Sequence, residues 1–251
     1  MGLKDSEVAL QSKYDREYYD GYKGPGRRGD DLAGPPLLTL LERIAPTGRL
    51  LEIGYAYGYF LREAEERYET HGVDISEHAI KRARGIASRS TLGVVDVECK
   101  KSLLRFVGKR RFDVVVALNT LEHLRDPHSV LETIHHLLRP SGYLFFKVPK
   151  RYSLKHRLFS LLGKEDELEM YGDDTHLSLL TASEWIEAVE RAGFELAHPP
   201  TIPTAKLKRW VSERRVWHRL FFLPALPLLG HLNDCLHLLC RKPHGSMRSN
   251  G

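Results

Sequence analysis

Three small residues, Gly54, Ala56 and Gly58, alternate through LLEIGYAYGYF (50–60), just after the acidic Glu52. Such small side chains let backbone approach a ligand closely, and a turn opening a helix aims its first N–H groups at that ligand. A second carboxylate, Asp74 in GVDIS, follows 22 residues after Glu52. The dinucleotide fingerprint GxGxxG does not fit, because its third glycine would fall on Tyr59. Further on, NTLEHLRDP places His123 beside Glu122. An imidazole titrates in the range that suits proton removal near pH 7. His123 is therefore either a general base or a histidine packed at a helix start beside Leu121 and Leu124. Glu122 and His123 are also of metal-ligating type, but the sequence shows no third ligand, and no metal is expected. His176 precedes a late helix and either lines a pocket or closes a loop.

These residues need elements to hold them. Short apolar runs at 50–53, 71–75, 94–97, 112–118 and 143–148 predict strands, with 194–197 and 236–240 as a sixth and a seventh. Between them, 37–44, 60–68, the segment after Ser76 and the segment after Pro127 read as helices. Thr181-Ala-Ser-Glu184 has capping-box spacing and starts another, which Gly193 ends. Strands that alternate with helices, and are apolar on both faces, imply a mostly parallel sheet covered on both sides.

Composition agrees with a globular chain. Of 251 residues, 42% are hydrophobic and 28% charged, which argues against a disordered or fibrous protein. Three cysteines without ligand spacing exclude a disulfide scaffold and a zinc module. The first twenty residues show no secretory signal, and the longest uncharged run, 220–232, is too short to span a bilayer. The expected location is cytoplasmic, with peripheral membrane contact as the alternative. Charge is uneven. Residues 201–251 hold nine Lys/Arg against Glu213 and Asp234, whereas the rest of the chain is slightly acidic. A globally basic nucleic-acid binder would spread its charge differently, so nucleic acid ranks last among partners.

Together the segments resemble the class I S-adenosylmethionine-dependent methyltransferases over most of residues 50–196. The run acidic-x-Gly-x-Ala-x-Gly is similar to that family's first motif. FDVVVALNTLEHLRDP (112–127) and LLRPSGYLFFKVP (137–149) resemble its fourth and fifth strands, and HLSLLTASEWIEAVERAGFE (176–195) resembles the late helix and strand of its small-molecule branch. The resemblance implies a Rossmann-like α/β fold, with seven mostly parallel strands, helices on both faces and an antiparallel last strand. It implies S-adenosyl-L-methionine as cofactor, contacted by Glu52, Gly54, Tyr55, Ala56, Gly58, Asp74, Ile75, Asp96, Val97 and Asn119. Asp74 would take both ribose hydroxyls, since a carboxylate offers two oxygens to a vicinal diol. Asp96 and Val97 would meet adenine, and the loop 119–124 would border the sulfonium and the acceptor.

His123 is then the expected catalytic residue, with Tyr19 and His176 expected at the substrate. The expected reaction is methyl transfer to oxygen, nitrogen or carbon of a small or lipid-linked acceptor, glycan or quinone-like. Alternatives are an RNA or protein methyltransferase and a silent cofactor-binding subunit. Two positions depart from the family pattern. Ser141 replaces a glycine before the fifth strand. Ala56 replaces the usual central glycine, so either its φ is negative or it carries strain.

Residues 1–36, with Tyr14, Tyr18, Tyr19 and Tyr22, form an extension that is either a lid or a packing patch. Residues 37–251 would be the methyltransferase domain, with 198–234 a basic amphipathic insertion before the last strand. Within 205–229, Trp210, Trp217 and Phe221 accompany Lys208, Arg209, Arg215 and Arg219. That segment is a packed helix or pocket wall first, and an anionic-membrane contact second.

Overall fold

Strand β4 (Phe112–Leu118, FDVVVAL) is β-branched on both faces and lies at the centre of the sheet. The computed structural model describes residues 13–14, 18, 34–149, 175–197 and 235–244. Around β4 lie β1 (Gly48–Ile53), β2 (Tyr68–Asp74), β3 (Thr91–Val94), β5 (Leu138–Pro149), β6 (Glu195–Leu196) and β7 (Cys235–Arg241). The spatial order is β3-β2-β1-β4-β5-β7-β6. The first five strands run parallel, and β7 pairs antiparallel with both β5 and β6. The expected sheet, with its antiparallel last strand, is the one observed.

Alternation along the strands splits the core. Leu50, Val114, Val116, Phe145 and Leu239 face one side, under helices α1 (Gly34–Ile44), α2 (Tyr59–Ala64) and α3 (Glu77–Ile86). Leu51, Val115, Ala117, Phe146 and Leu238 face the other, under α4 (Lys100–Val107), α5 (Pro127–Leu137) and α6 (Ala182–Arg191). Trp185 of α6 is fully buried there against Phe146, with ring centroids 5.6 Å apart. The caps follow the sequence. Ser76 Oγ accepts the Ala79 N–H, Asp126 accepts the Ser129 N–H, and Thr181 and Glu184 form the capping box.

Three expectations need correction. The third strand lies at 91–94 rather than 94–97, because β2 pairs with it only from His71↔Thr91 to Asp74↔Val94. Val95 and Val97 are buried beyond the ladder, in the loop it feeds. The helix expected over 60–68 stops at Ala64, since Tyr68 already begins β2. Helix α4 was not anticipated. Its apolar stripe is short, and only Leu103 and Val107, four apart, are fully buried. The expected insertion 198–234 lies outside the described residues.

Candidate active site

Strand order reverses between β1 and β4, and ligands of open α/β sheets bind at such a switch point, beyond the carboxyl ends of the strands. An open cleft lies there. Its walls come from four loops and from Tyr14 and Tyr18.

The loop after β1 is built from left-handed backbone at alternate residues. φ is 75° at Gly54, 47° at Ala56 and 77° at Gly58. Ala56 therefore carries the strain that a negative φ would have avoided, about 1–2 kcal/mol for a residue with a Cβ. Backbone hydrogen bonds hold the turn. The Gly54 N–H donates to Val73 O at 2.8 Å, and the Ala56 N–H donates to Asp74 Oδ2 at 2.9 Å. A Cβ on Gly54 would sit 2.1 Å from Thr120 Oγ1, so this glycine exists to let the loop after β4 pack against it. A Cβ on Gly58 would meet Ala83 and Ala87 of the α3 segment at 3.2–3.3 Å, so Gly58 serves helix packing.

Asp74 ends β2 and is 6% exposed. Its Oδ1 accepts the Ser76 N–H at 2.9 Å, while Oδ2 accepts the Ala56 N–H. Two backbone donors thus fix the carboxylate at the cleft wall, one oxygen to each flanking loop. After β3, Asp96 Oδ1 accepts the Glu98 N–H at 2.9 Å, and Asp96 and Val97 line the cleft. Glu98 Oε1 then accepts the N–H groups of both Arg125 and Asp126 at 2.9 Å, strapping this loop to the one after β4.

The loop after β4 carries Asn119 in left-handed backbone (φ 51°), a conformation asparagine tolerates. Thr120 Oγ1 lies 3.1 Å from both Ile53 O and Leu118 O, and its single proton serves these carbonyls. A 3₁₀ turn, Leu121–His123, follows. Glu122 is 1% exposed, and its carbonyl accepts the N–H groups of Leu177 and Ser178 at 2.9 and 2.8 Å. That pair ties segment 175–178 to the loop after β4. His123 Nδ1 lies 3.1 Å from Thr175 O and 3.0 Å from Thr175 Oγ1. The His176 ring is 4.9 Å from the His123 ring, and Tyr14 meets His123 edge-on at 5.9 Å. Tyr14 is anchored in turn, because its carbonyl accepts the Ser76 hydroxyl at 2.7 Å.

Of the residues expected at the cofactor, Gly54, Ala56, Asp74, Ile75, Asp96, Val97 and Asn119 line the cleft, and so does His123. Glu52, Tyr55 and Gly58 do not. Glu52 is buried within β1, and Tyr55 is 1% exposed in the core, beside Leu61 and above Gly72. Burial, then the nearby Asp74 charge, pushes the Tyr55 phenol far above its ordinary range. His176 stands behind His123, and Tyr19 lies outside the described residues. Thr120, of the loop expected there, and Glu98, Tyr14 and Tyr18 also line the cleft. Glu98 had no signal in sequence. Tyr14 and Tyr18 belonged to an aromatic cluster whose role was open, and they are cleft wall.

A fixed carboxylate at the end of β2 and the close-turning loop after β1 fit an adenosyl cofactor. A methyltransferase-domain family model matches residues 27–198. The chain belongs to that family and is a class I S-adenosylmethionine-dependent methyltransferase. Among curated proteins it is similar to the ubiquinone biosynthesis O-methyltransferase of Coxiella burnetii, 28% identical over 171 residues, covering 66% of this chain and 72% of that one. The enzyme of the same description from Vibrio cholerae is 25% identical over 183 residues, covering 69% and 74%. Among solved structures, magnesium protoporphyrin IX methyltransferase from Synechocystis PCC 6803, determined with bound SAH, shares the fold. Its TM-score is 0.63 at 13% identity, covering 94% of this chain and 99% of that one. Among the described residues no helix is long and apolar enough to cross a membrane.

Proposed function

We propose that this enzyme methylates a hydroxyl on a small, ring-bearing acceptor of the quinone-precursor type. One observation carries this reading: His123 lines the cleft, with Tyr14 edge-on to its ring at 5.9 Å and the His176 ring 4.9 Å away. The ubiquinone O-methyltransferase relatives support the acceptor class. When bound, S-adenosylmethionine supplies a methyl group already activated on a sulfonium. The chain's own work is to bind, orient and exclude water. Asp74 takes the ribose hydroxyls, and Asp96 and Val97 flank the adenine. Gly54, Ala56 and Asn119 border the methionine part. Tyr14 walls the cleft and shields it from solvent. His123 is the residue against the nucleophile. His123 Nδ1 faces both the carbonyl and the hydroxyl of Thr175, and in the tautomer that gives its proton to the carbonyl the lone pair is on Nε2.

The test is incubation with methyl-labelled cofactor and a panel of catechols and prenylated hydroxybenzoates. Labelled aryl ether is the expected product. Binding of S-adenosylhomocysteine without methylation of any hydroxylated ring overturns the acceptor class. The basic, aromatic segment 205–229 supports contact with an anionic membrane, where such acceptors dissolve. Sedimentation with anionic but not neutral vesicles, lost as salt rises, is the expected behaviour. Equal recovery with both vesicle types refutes it.

A further inference from the structure

We propose that Glu122, His123 and His176 bind a divalent transition-metal cation beside the cleft, which His123 lines. From sequence, Glu122 and His123 lacked a third ligand. The fold supplies His176 from 53 residues further on, and one ligand atom from each of the three lies within 4.8 Å of the others. Metal–nitrogen and metal–oxygen bonds are about 2.0–2.2 Å, so ligands around one ion stand roughly 3–3.5 Å apart. Small side-chain rotations close that gap.

Three features favour a built site over a chance cluster. The segment bearing His176 is hydrogen-bonded to Glu122 itself, through the N–H groups of Leu177 and Ser178, so one ligand anchors the backbone that carries another. His123 Nδ1 lies 3.1 Å from Thr175 O and 3.0 Å from Thr175 Oγ1, outer partners of the kind that orient a ligating imidazole. Glu122 is 1% exposed, so its carboxylate meets a cation with little competition from water. One carboxylate and two imidazoles leave coordination positions open, the pattern of catalytic rather than structural sites, and the nitrogen donors select zinc or cobalt over manganese, magnesium or calcium.

The chemical consequence rests on the hydroxyl-methylation reading, whereas the binding does not. An acceptor hydroxyl reaching an open position meets a Lewis acid, and its proton then leaves more readily to water. The lone pair of His123 thus acts on the acceptor through the ion.

The full chain, stripped with a chelator, is titrated with Co²⁺ by visible absorption and with Zn²⁺ by calorimetry. One equivalent of each is expected, with the absorption of nitrogen-ligated Co²⁺. His176→Gln should weaken Co²⁺ binding about tenfold or more, while a retained thermal shift with S-adenosylhomocysteine reports an intact fold. A wild-type chain that takes up no stoichiometric Co²⁺ or Zn²⁺ overturns the proposal. So does a folded His176→Gln variant that binds Co²⁺ as tightly. Metal binding without methylation of any hydroxyl sinks the acceptor class and leaves the site standing. Methylation at full rate in the stripped enzyme removes the Lewis-acid role.

Discussion

Replacing Gly54 by alanine tests whether this glycine serves the ligand or the neighbouring loop. A Cβ there lies 2.1, 2.7 and 2.9 Å from Oγ1, Cγ2 and Cβ of Thr120. Thr120 cannot turn away freely, because its hydroxyl is bonded to Ile53 O and Leu118 O. Swinging it out forfeits a hydrogen bond worth about 0.5–1.5 kcal/mol. The φ of 75° adds about 1–2 kcal/mol for any residue with a Cβ. Gly54→Ala should therefore lose about 2–3 kcal/mol of stability. Removing the obstacle with Thr120→Gly should recover the steric share and leave the backbone share. A double-mutant cycle by urea denaturation reads this as a coupling of about 1 kcal/mol, independent of the cost of Thr120→Gly itself. Calorimetry with S-adenosylhomocysteine on the same four proteins asks whether affinity follows. An unchanged stability for Gly54→Ala, or zero coupling, refutes the packing argument. Normal stability with abolished affinity would mean the glycine clears space for the ligand instead.

Other outcomes follow from the same geometry. Asp74→Ala removes the acceptor for the Ala56 and Ser76 N–H groups as well as the ribose contact, and should weaken S-adenosylhomocysteine binding by about 1.5–3 kcal/mol, read by calorimetry. Ser76→Ala deletes the cap of α3 and the tether to Tyr14, and should cost about 1–2 kcal/mol in urea unfolding. His71 and His135 are both held below the ordinary imidazole range, chiefly by burial, with a hydrogen bond to the Glu69 backbone and then the Glu69 charge only partly opposing this at His71. A base whose folded pKa is depressed contributes stability that is present above its unfolded value and lost as pH falls through the folded one. The urea midpoint should therefore fall as pH drops below the ordinary imidazole range, and His71→Gln should flatten that slope. A midpoint equally pH-dependent in the variant would assign the effect elsewhere.

The parallel sheet was legible because its strands are apolar on both faces, and 112–118 or 50–53 could hardly be anything else. The cofactor side of the cleft was legible too, since the turn 54–58 and Asp74 are local signals at a fixed spacing. What sequence missed is non-local. Glu98 looks like any surface acid until its carboxylate is seen holding two N–H groups 27 and 28 residues away. Thr120 matters only because Gly54 leaves it room. His176 meets His123 only because two backbone hydrogen bonds to Glu122 bring segment 175–178 to the loop after β4. Tyr55 erred the other way: it sits in the motif, but its aromatic area goes to the core, where Gly72 makes space for it.

Strand β7 sets the order in which this protein can be completed. It runs between β5 and β6, with Leu144 opposite Cys240 and Leu196 opposite the same cysteine. During synthesis β5 emerges about ninety residues before its partner, and until then its edge lacks the β7 ladder. Pairing at such sequence separation is slow. A nascent chain therefore holds a formed cofactor half beside an open sheet edge, and it becomes safe from edge-to-edge association only when residues 235–241 arrive.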